Sequence, residues 1–285
     1  MLGQYLVNGL LTGGLYACLA VGFALVWGVL NVVNMLHGSM VILGAYVCII
    51  GVQQFGVPLY VAAPLACIAL FAFGYAVQRG LINRVVAQPI LITLTLTFGL
   101  DLIVNNLLLY FVGATPRSLI TNFGAVDLFG VRAPVVRIGG MLVAITLTLL
   151  LYWLLHHSKL GRAIIAVRMD RHAAALMGIR IPQIYALTFG IGALMAGAAG
   201  CAMALIYPTA PMMSGVFLGK AFIICVLGGL GSVPGAIVGG LVLGIAEGAG
   251  SLAFGPQWAT TVGFVLMMAV IILLPSGLAG RKGFE

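Results

Sequence analysis

The sequence predicts an all-α polytopic membrane protein, one transmembrane domain over residues 1–285 with eight or nine spanning helices, and three observations carry that prediction. Hydrophobic residues make up 63% of the chain, charged residues only 6%, and the mean hydropathy is +1.23. A water-facing surface takes roughly 25–35% charged residues, so a soluble enzyme, a nucleic-acid-binding protein and a disordered chain are excluded. Apolar runs near twenty residues recur along the whole length, and about 20 residues rising 1.5 Å each cross a hydrocarbon core of roughly 30 Å. The runs are continuous, whereas a transmembrane β-barrel alternates apolar and polar positions.

In chain order the spans are predicted at 5–27, 35–55, 59–77, 90–112, 138–156, 184–206, 216–230, 236–253 and 258–274. No Lys or Arg precedes the first, so it reads as a retained span rather than a cleaved leader. The run at 216–230 is short and rich in glycine at its end, which leaves open a re-entrant segment. Basic residues set the sidedness. Arg79 and Arg84, the loop holding Lys159, Arg162, Arg168, Arg171 and Arg180, and the tail with Arg281 and Lys282 all fall on one face if nine spans follow an external N-terminus. That face is predicted to be cytoplasmic, and it absorbs most of the net charge of +8 without nucleic acid.

Several of the 40 glycines recur at four-residue spacing: Gly9 and Gly13, Gly235 and Gly239, and Gly240, Gly244 and Gly248. Small residues one turn apart let helix backbones approach closely in lipid, so the last run predicts a tightly packed internal helix or a subunit interface. The five cysteines lie inside apolar stretches with no metal-ligand spacing and read as small buried hydrophobes.

Three polar interruptions fall within spanning sequence. They are NVVNMLHGS at 31–39, GGLGSVPG at 228–235, and the patch Thr93, Thr95, Thr97, Asp101, Asn105 and Asn106. Broken helices at membrane depth survive only where the freed backbone lines protein or a watery cavity, and one break in each half is the usual mark of a transport pathway. Intramembrane ionisable groups point to function by default; here they are Asp101, Lys220, Glu247 and His37. His37 is also compatible with a hydrogen bond to a backbone carbonyl in a tight turn, and the two acids with water or a basic partner. No phosphate loop is present, since GVFLGKA at 215–221 is one residue too short and lacks Ser or Thr. Ser232 has no plausible histidine partner, so catalysis is not expected, and the chain needs no cofactor of its own.

The segment 161–182, GRAIIAVRMDRHAAALMGIRIP, is amphipathic and should end as a helix near Gly178, before Pro182. It predicts either an interfacial helix on anionic lipid or a helix that docks into a partner's groove. Its HAAALMG string resembles the EAA loop of ABC importer permeases, with Ala173, Ala174 and Gly178 in register and His172 where that family has Glu. The stretches at 9–46, 94–100, 161–179 and 219–240, including NxxHG and VLGGLGSxxGAxxGG, resemble the smaller permease of branched-chain amino-acid importers over nearly the full chain. Many relatives carry an acidic residue after His37-Gly38, and here Ser39 stands instead.

The resemblance implies a permease fold with a cytoplasmic coupling loop at about 158–182, in the bacterial inner membrane. Its implied partners are a second permease (a larger paralogue or another copy), two cytoplasmic ATPases that bind the ATP, and an extracytoplasmic binding protein. The implied pathway residues are Asn34, His37, Ser39, Thr95, Asp101, Asn105 and Lys220. The implied coupling residues are Arg168, Asp170, Arg171, His172, Ala173, Ala174, Leu176 and Gly178. Branched-chain or other hydrophobic amino acids are the expected cargo, with urea, amides or small carboxylates as alternatives in the same family. A self-sufficient secondary transporter or channel is the rival of a different class.

Overall fold

Lipid offers the backbone no hydrogen bonds, so each apolar run closes its own as a helix. The computed structural model describes residues 2–119, 124–128, 131–274 and 276–279. The described helices are α1 (Leu2–Leu30), α2 (His37–Gln53), α3 (Leu59–Gly80), α4 (Ile90–Val112), α5 (Val135–His157), α6 (Lys159–Met169) and α7 (Arg171–Leu176). They continue with α8 (Ile181–Ala204), α9 (Ser214–Gly228), α10 (Val233–Phe254) and α11 (Ala259–Leu273). Eight of the helical segments are long and apolar enough to cross a membrane, and α2, at 17 residues, is a shorter apolar helix.

One small departure from an all-helical chain lies between α4 and α5. Strands β1 (Ala125–Leu128) and β2 (Val131–Pro134) form an antiparallel hairpin that sets Asp127 opposite Arg132, with their charged groups 3.6 Å apart in solvent.

Helices α1 and α8 form the buried centre, while α4 and α11 leave most of their outer faces uncovered. Glycine sets this arrangement. A side chain at Gly9 would bring Cβ within 2.6 Å of the Gly244 carbonyl oxygen, and one at Gly13 within 2.9 Å of the Gly240 oxygen. The four-residue glycine repeats of α1 and α10 therefore face each other, and the run at 240–248 packs an internal helix pair. Gly235 and Gly239 instead press on Gly228 and Ile224 across the α9–α10 turn.

The two ends of the bundle differ. Asn83 donates to the Pro182 carbonyl at 3.0 Å, and Gly28 lies against Gly231, so Arg84, the α6–α7 segment and the α9–α10 turn share one end. Gln4 bonds Arg132, and Gln53 bonds Ser118, at the other. The basic residues from 79 to 180 that share a predicted face thus lie at one end, while Arg117, Arg132 and Arg137 lie away from it; Arg281 and Lys282 lie outside the described residues. GGLGSVPG proves to be a tight turn at the helix ends rather than a break inside a span. Ser232 caps α10 by accepting from the Gly235 amide at 3.0 Å. The chain at 278–279 returns to satisfy the last carbonyls of α9, those of Leu227 and Gly228.

Candidate functional site

The interruption at 31–36 is a true break. Asn31 adopts φ 53°, a left-handed conformation tolerated by Asn, and turns the chain back along α1. Helix α2 then starts beside the middle of α1, where the His37 ring nitrogen Nε2 lies 2.9 Å from the Leu19 carbonyl oxygen and the ring meets Phe23 edge-on at 5.5 Å. Thr97 of α4 satisfies the loosened backbone, donating to the Val33 oxygen at 3.1 Å and accepting from the Met35 amide at 3.3 Å. Asn34 and His37, expected along a pathway, are 1% and 0% exposed and sit inside the chain, His37 holding the start of α2 against α1 through Leu19 and Phe23. Thr95, on the outer face of α4, bonds its own helix at the Leu91 oxygen, 2.8 Å away.

The start of α2 touches the start of α9, since a side chain at Gly38 would collide with the Ser214 carbonyl. Across this junction lies a polar cluster drawn from three helices. Ser39 donates to Asp101, and Asn105 donates to Asp101 Oδ2 at 3.2 Å and to the Ser214 hydroxyl at 2.9 Å. The structure therefore brings together three of the expected pathway residues, Ser39, Asp101 and Asn105. Ser39 is fully buried, while Asp101 and Asn105 are half-buried.

Lys220 belongs to a separate cluster. Its Nζ donates to both Glu247 carboxylate oxygens at 2.9 Å and to the Tyr16 hydroxyl, and it lies 4.3 Å from the centre of the Tyr16 ring. Tyr16 in turn donates to Glu247 at 2.8 Å. Only 12% of the Lys220 side chain and 10% of the Glu247 side chain are exposed. The arrangement ties α1, α9 and α10 together, and each charge is fully compensated, so Lys220 acts as a clamp rather than a free cation.

At the basic end the amphipathic segment folds as two helices instead of one. Asp170 breaks it by adopting extended backbone and capping α7, accepting from the amides of His172 at 2.7 Å and Ala173 at 3.1 Å. Those same amide bonds, Ala173 first, hold the Asp170 carboxyl below the usual carboxylate range. The helix ends as predicted at Gly178, whose φ of 81° suits glycine, with the Ile179 amide closing on the Ala174 oxygen. Ile164, Val167 and Ala174 are buried against the bundle, whereas Leu176 and Met177 are 90% and 83% exposed. Ala174, expected among the contact residues, is thus an anchor, because it lies on the inner face of a short helix. Arg168, Asp170, Arg171, His172, Ala173 and Gly178 remain on the outer surface. Beneath this segment opens a cavity of about 490 Å³, reached by Asn31, Gln88, Thr93, Arg168 and His172.

Residues 5–273 match the family described as "Branched-chain amino acid transport system / permease component". The chain belongs to that permease family. It is similar to the high-affinity branched-chain amino acid transport system permease protein BraD of Pseudomonas aeruginosa, at 32% identity over 99% of this chain and 97% of that protein. It is similar to the corresponding permease LivH of Escherichia coli K12, also at 32%, over 99% and 96%. Among solved structures, PsaBC of Streptococcus pneumoniae in complex with Fab shares the fold, with a TM-score of 0.50 and 10% identity over 98% of this chain and 94% of that one.

Two residues of this permease escape sequence reasoning as site members. Ser214 looks ordinary in sequence, yet it opens a helix after the proline-flanked stretch 208–211, which is the spatial counterpart of the break at 31–36. Tyr16 lies in an unbroken apolar run 204 positions from Lys220, and nothing local marks it as the third member of the clamp.

Proposed function

We propose that this chain is the membrane permease subunit of an ABC importer for branched-chain or other hydrophobic amino acids. It would form half of a translocation pathway with a second permease in the bacterial inner membrane. The family match across nearly the whole chain, together with 32% identity to two branched-chain amino acid permeases over almost their full lengths, carries the reading. On this reading the end bearing Arg84 and the α6–α7 segment is cytoplasmic, by the positive-inside rule. Separate ATPases bind and hydrolyse ATP, and an extracytoplasmic binding protein delivers the cargo.

The α6–α7 segment supplies the mechanical link. Leu176 and Met177 project from the basic end as an apolar anchor for a groove on an ATPase. The buried face of Ile164, Val167 and Ala174 grips the bundle, so force on α7 passes into α5, α8 and α1. The cavity between this segment and the start of α4 leaves room for that displacement. The two permeases would then rock about the polar junction of α2, α4 and α9, exposing it to either side in turn.

A Leu176→Asp variant tests the link. In the assembled importer, ATP hydrolysis stimulated by the loaded binding protein should fall at least about tenfold, with the amount of inserted permease unchanged; normal stimulation sinks the docking role. Liposomes holding this chain alone decide the rival class: substrate movement under an ion gradient, without ATP or partners, overturns the ABC reading.

A further inference from the structure

Two carboxylates lie within the membrane-spanning helices, Asp101 and Glu247, and their surroundings differ in one respect. Glu247 is compensated by Lys220 at 2.9 Å. Asp101 is met by Ser39 and Asn105, and among the described residues no basic side chain lies within ion-pair distance of it. A carboxylate at membrane depth without a counter-cation is costly and marks a substrate or ion pathway.

The hydrogen-bond inventory of the junction points the same way. Asn105 spends its amide hydrogens on Asp101 and Ser214, and Ser39 spends its hydroxyl on Asp101. The buried Asn105 Oδ1 has no partner, and the Asp101 carboxylate, which accepts from the Ser39 hydroxyl, the Ser39 amide and the Asn105 amide, has acceptor capacity left over. Acceptors are left over, and the Ser214 hydroxyl, which accepts from Asn105, brings the one donor hydrogen of the cluster not already directed at Asp101 or Ser214. An ammonium carries three donors and no acceptor. Asp101, the Asn105 carbonyl and the Ser214 hydroxyl oxygen offer it three acceptors in one hydrogen-bonded group at the meeting of α2, α4 and α9.

We infer that the Ser39–Asp101–Asn105–Ser214 junction is a polar way-station that receives the ammonium end of the transported molecule, with Asp101 as its counter-ion. The site favours an amino acid, accepts the N–H groups of an amide or urea less strongly, and repels a carboxylate that lacks an ammonium. Asp101 acts on cargo after the binding protein has released it, so the permease adds its own selection. This rests on the reading of the chain as an amino-acid importer permease.

The test uses the complete importer in proteoliposomes with ATP and labelled L-leucine as the probe. The quantity read is leucine taken up per ATP hydrolysed. Asp101→Asn keeps size but removes the charge and one of the two acceptor oxygens, and should lower that ratio at least about tenfold, the order expected for one charged hydrogen bond. Asp101→Glu should restore most of it. A ratio within twofold of wild type in Asp101→Asn overturns the inference. So does a drop in thermal stability and ATP hydrolysis together with the ratio preserved, which would make Asp101 a cap for α2. If Asp101→Asn fails to assemble, Asn105→Leu must lower the ratio at least threefold, and an unchanged ratio there counts against the site. Wild-type importer that takes up no leucine with ATP defeats the functional reading itself, an outcome distinct from active wild type with indifferent variants.

Discussion

At the scale of residues, buried charge in this chain is handled in two ways. Lys220 and Glu247 neutralise each other with Tyr16 bridging them, whereas Asp101 faces only hydroxyl and amide groups. Removing one partner of a buried ion pair strands the other, at about 3–5 kcal/mol. Glu247→Ala should therefore lower the unfolding free energy in detergent by that order, and the double variant Lys220→Met/Glu247→Ala should regain most of it. Single and double variants that unfold alike would show that the clamp carries no strain of this kind. Asp170 offers a second test, through pH. Its folded-state carboxyl is held below the ordinary range by the Ala173 and His172 amides, so its capping stabilisation is present above the ordinary carboxylate value of about 3.9 and fades as pH falls through the lowered folded value. Hydrogen exchange of those two amides should stay slow, relative to intrinsic rates, from neutral pH down to about 4 and lose protection only below. Asp170→Asn should remove that acid transition.

At the scale of elements, glycine spacing decides which helices touch. The repeats at 9–13 and 240–248 are visible in sequence, but either could have served a subunit interface. The structure sets them against each other, with Gly9 admitting the Gly244 carbonyl. Gly9→Ala places Cβ 2.6 Å from that oxygen and should cost about 1–3 kcal/mol by overpacking. Gly99→Ala is the control, since a Cβ there meets nothing within 4 Å, and it should leave the melting temperature of the isolated chain unchanged or slightly raised. Equal melting of the two variants would contradict the α1–α10 contact. The amphipathic segment teaches a related lesson. Its apolar spacing predicts one helix, and Asp170 makes two, because a short carboxylate that can accept from the next two or three amides competes with helix continuation.

At the scale of the whole molecule, the chain has a basic end and a hairpin end, and among the described residues eight helices are long and apolar enough to span a membrane, beside the shorter α2, which starts near the middle of α1. In a Cys67→Ala background, Leu176→Cys and Val126→Cys should react with a membrane-impermeant maleimide from opposite sides, the first only in inside-out vesicles. Labelling of both from one side would refute the proposed sidedness. The sequence by itself determined the class of the protein, the position of nearly every span within a few residues, the clustering of basic loops and the family to which the chain belongs. These are properties of composition and local period, because a stretch of about twenty apolar residues has one low-energy form in lipid whatever its neighbours do. The tertiary structure decided which polar residues meet. Ser39, Asp101, Asn105 and Ser214 come from three helices, and Tyr16 joins Lys220 and Glu247 across most of the chain. The same packing drew Asn34, His37 and Ala174 inward. Contacts of that kind depend on how helices cross and rotate against one another, and small residues on distant segments set those crossings jointly, so no single stretch of sequence contains them.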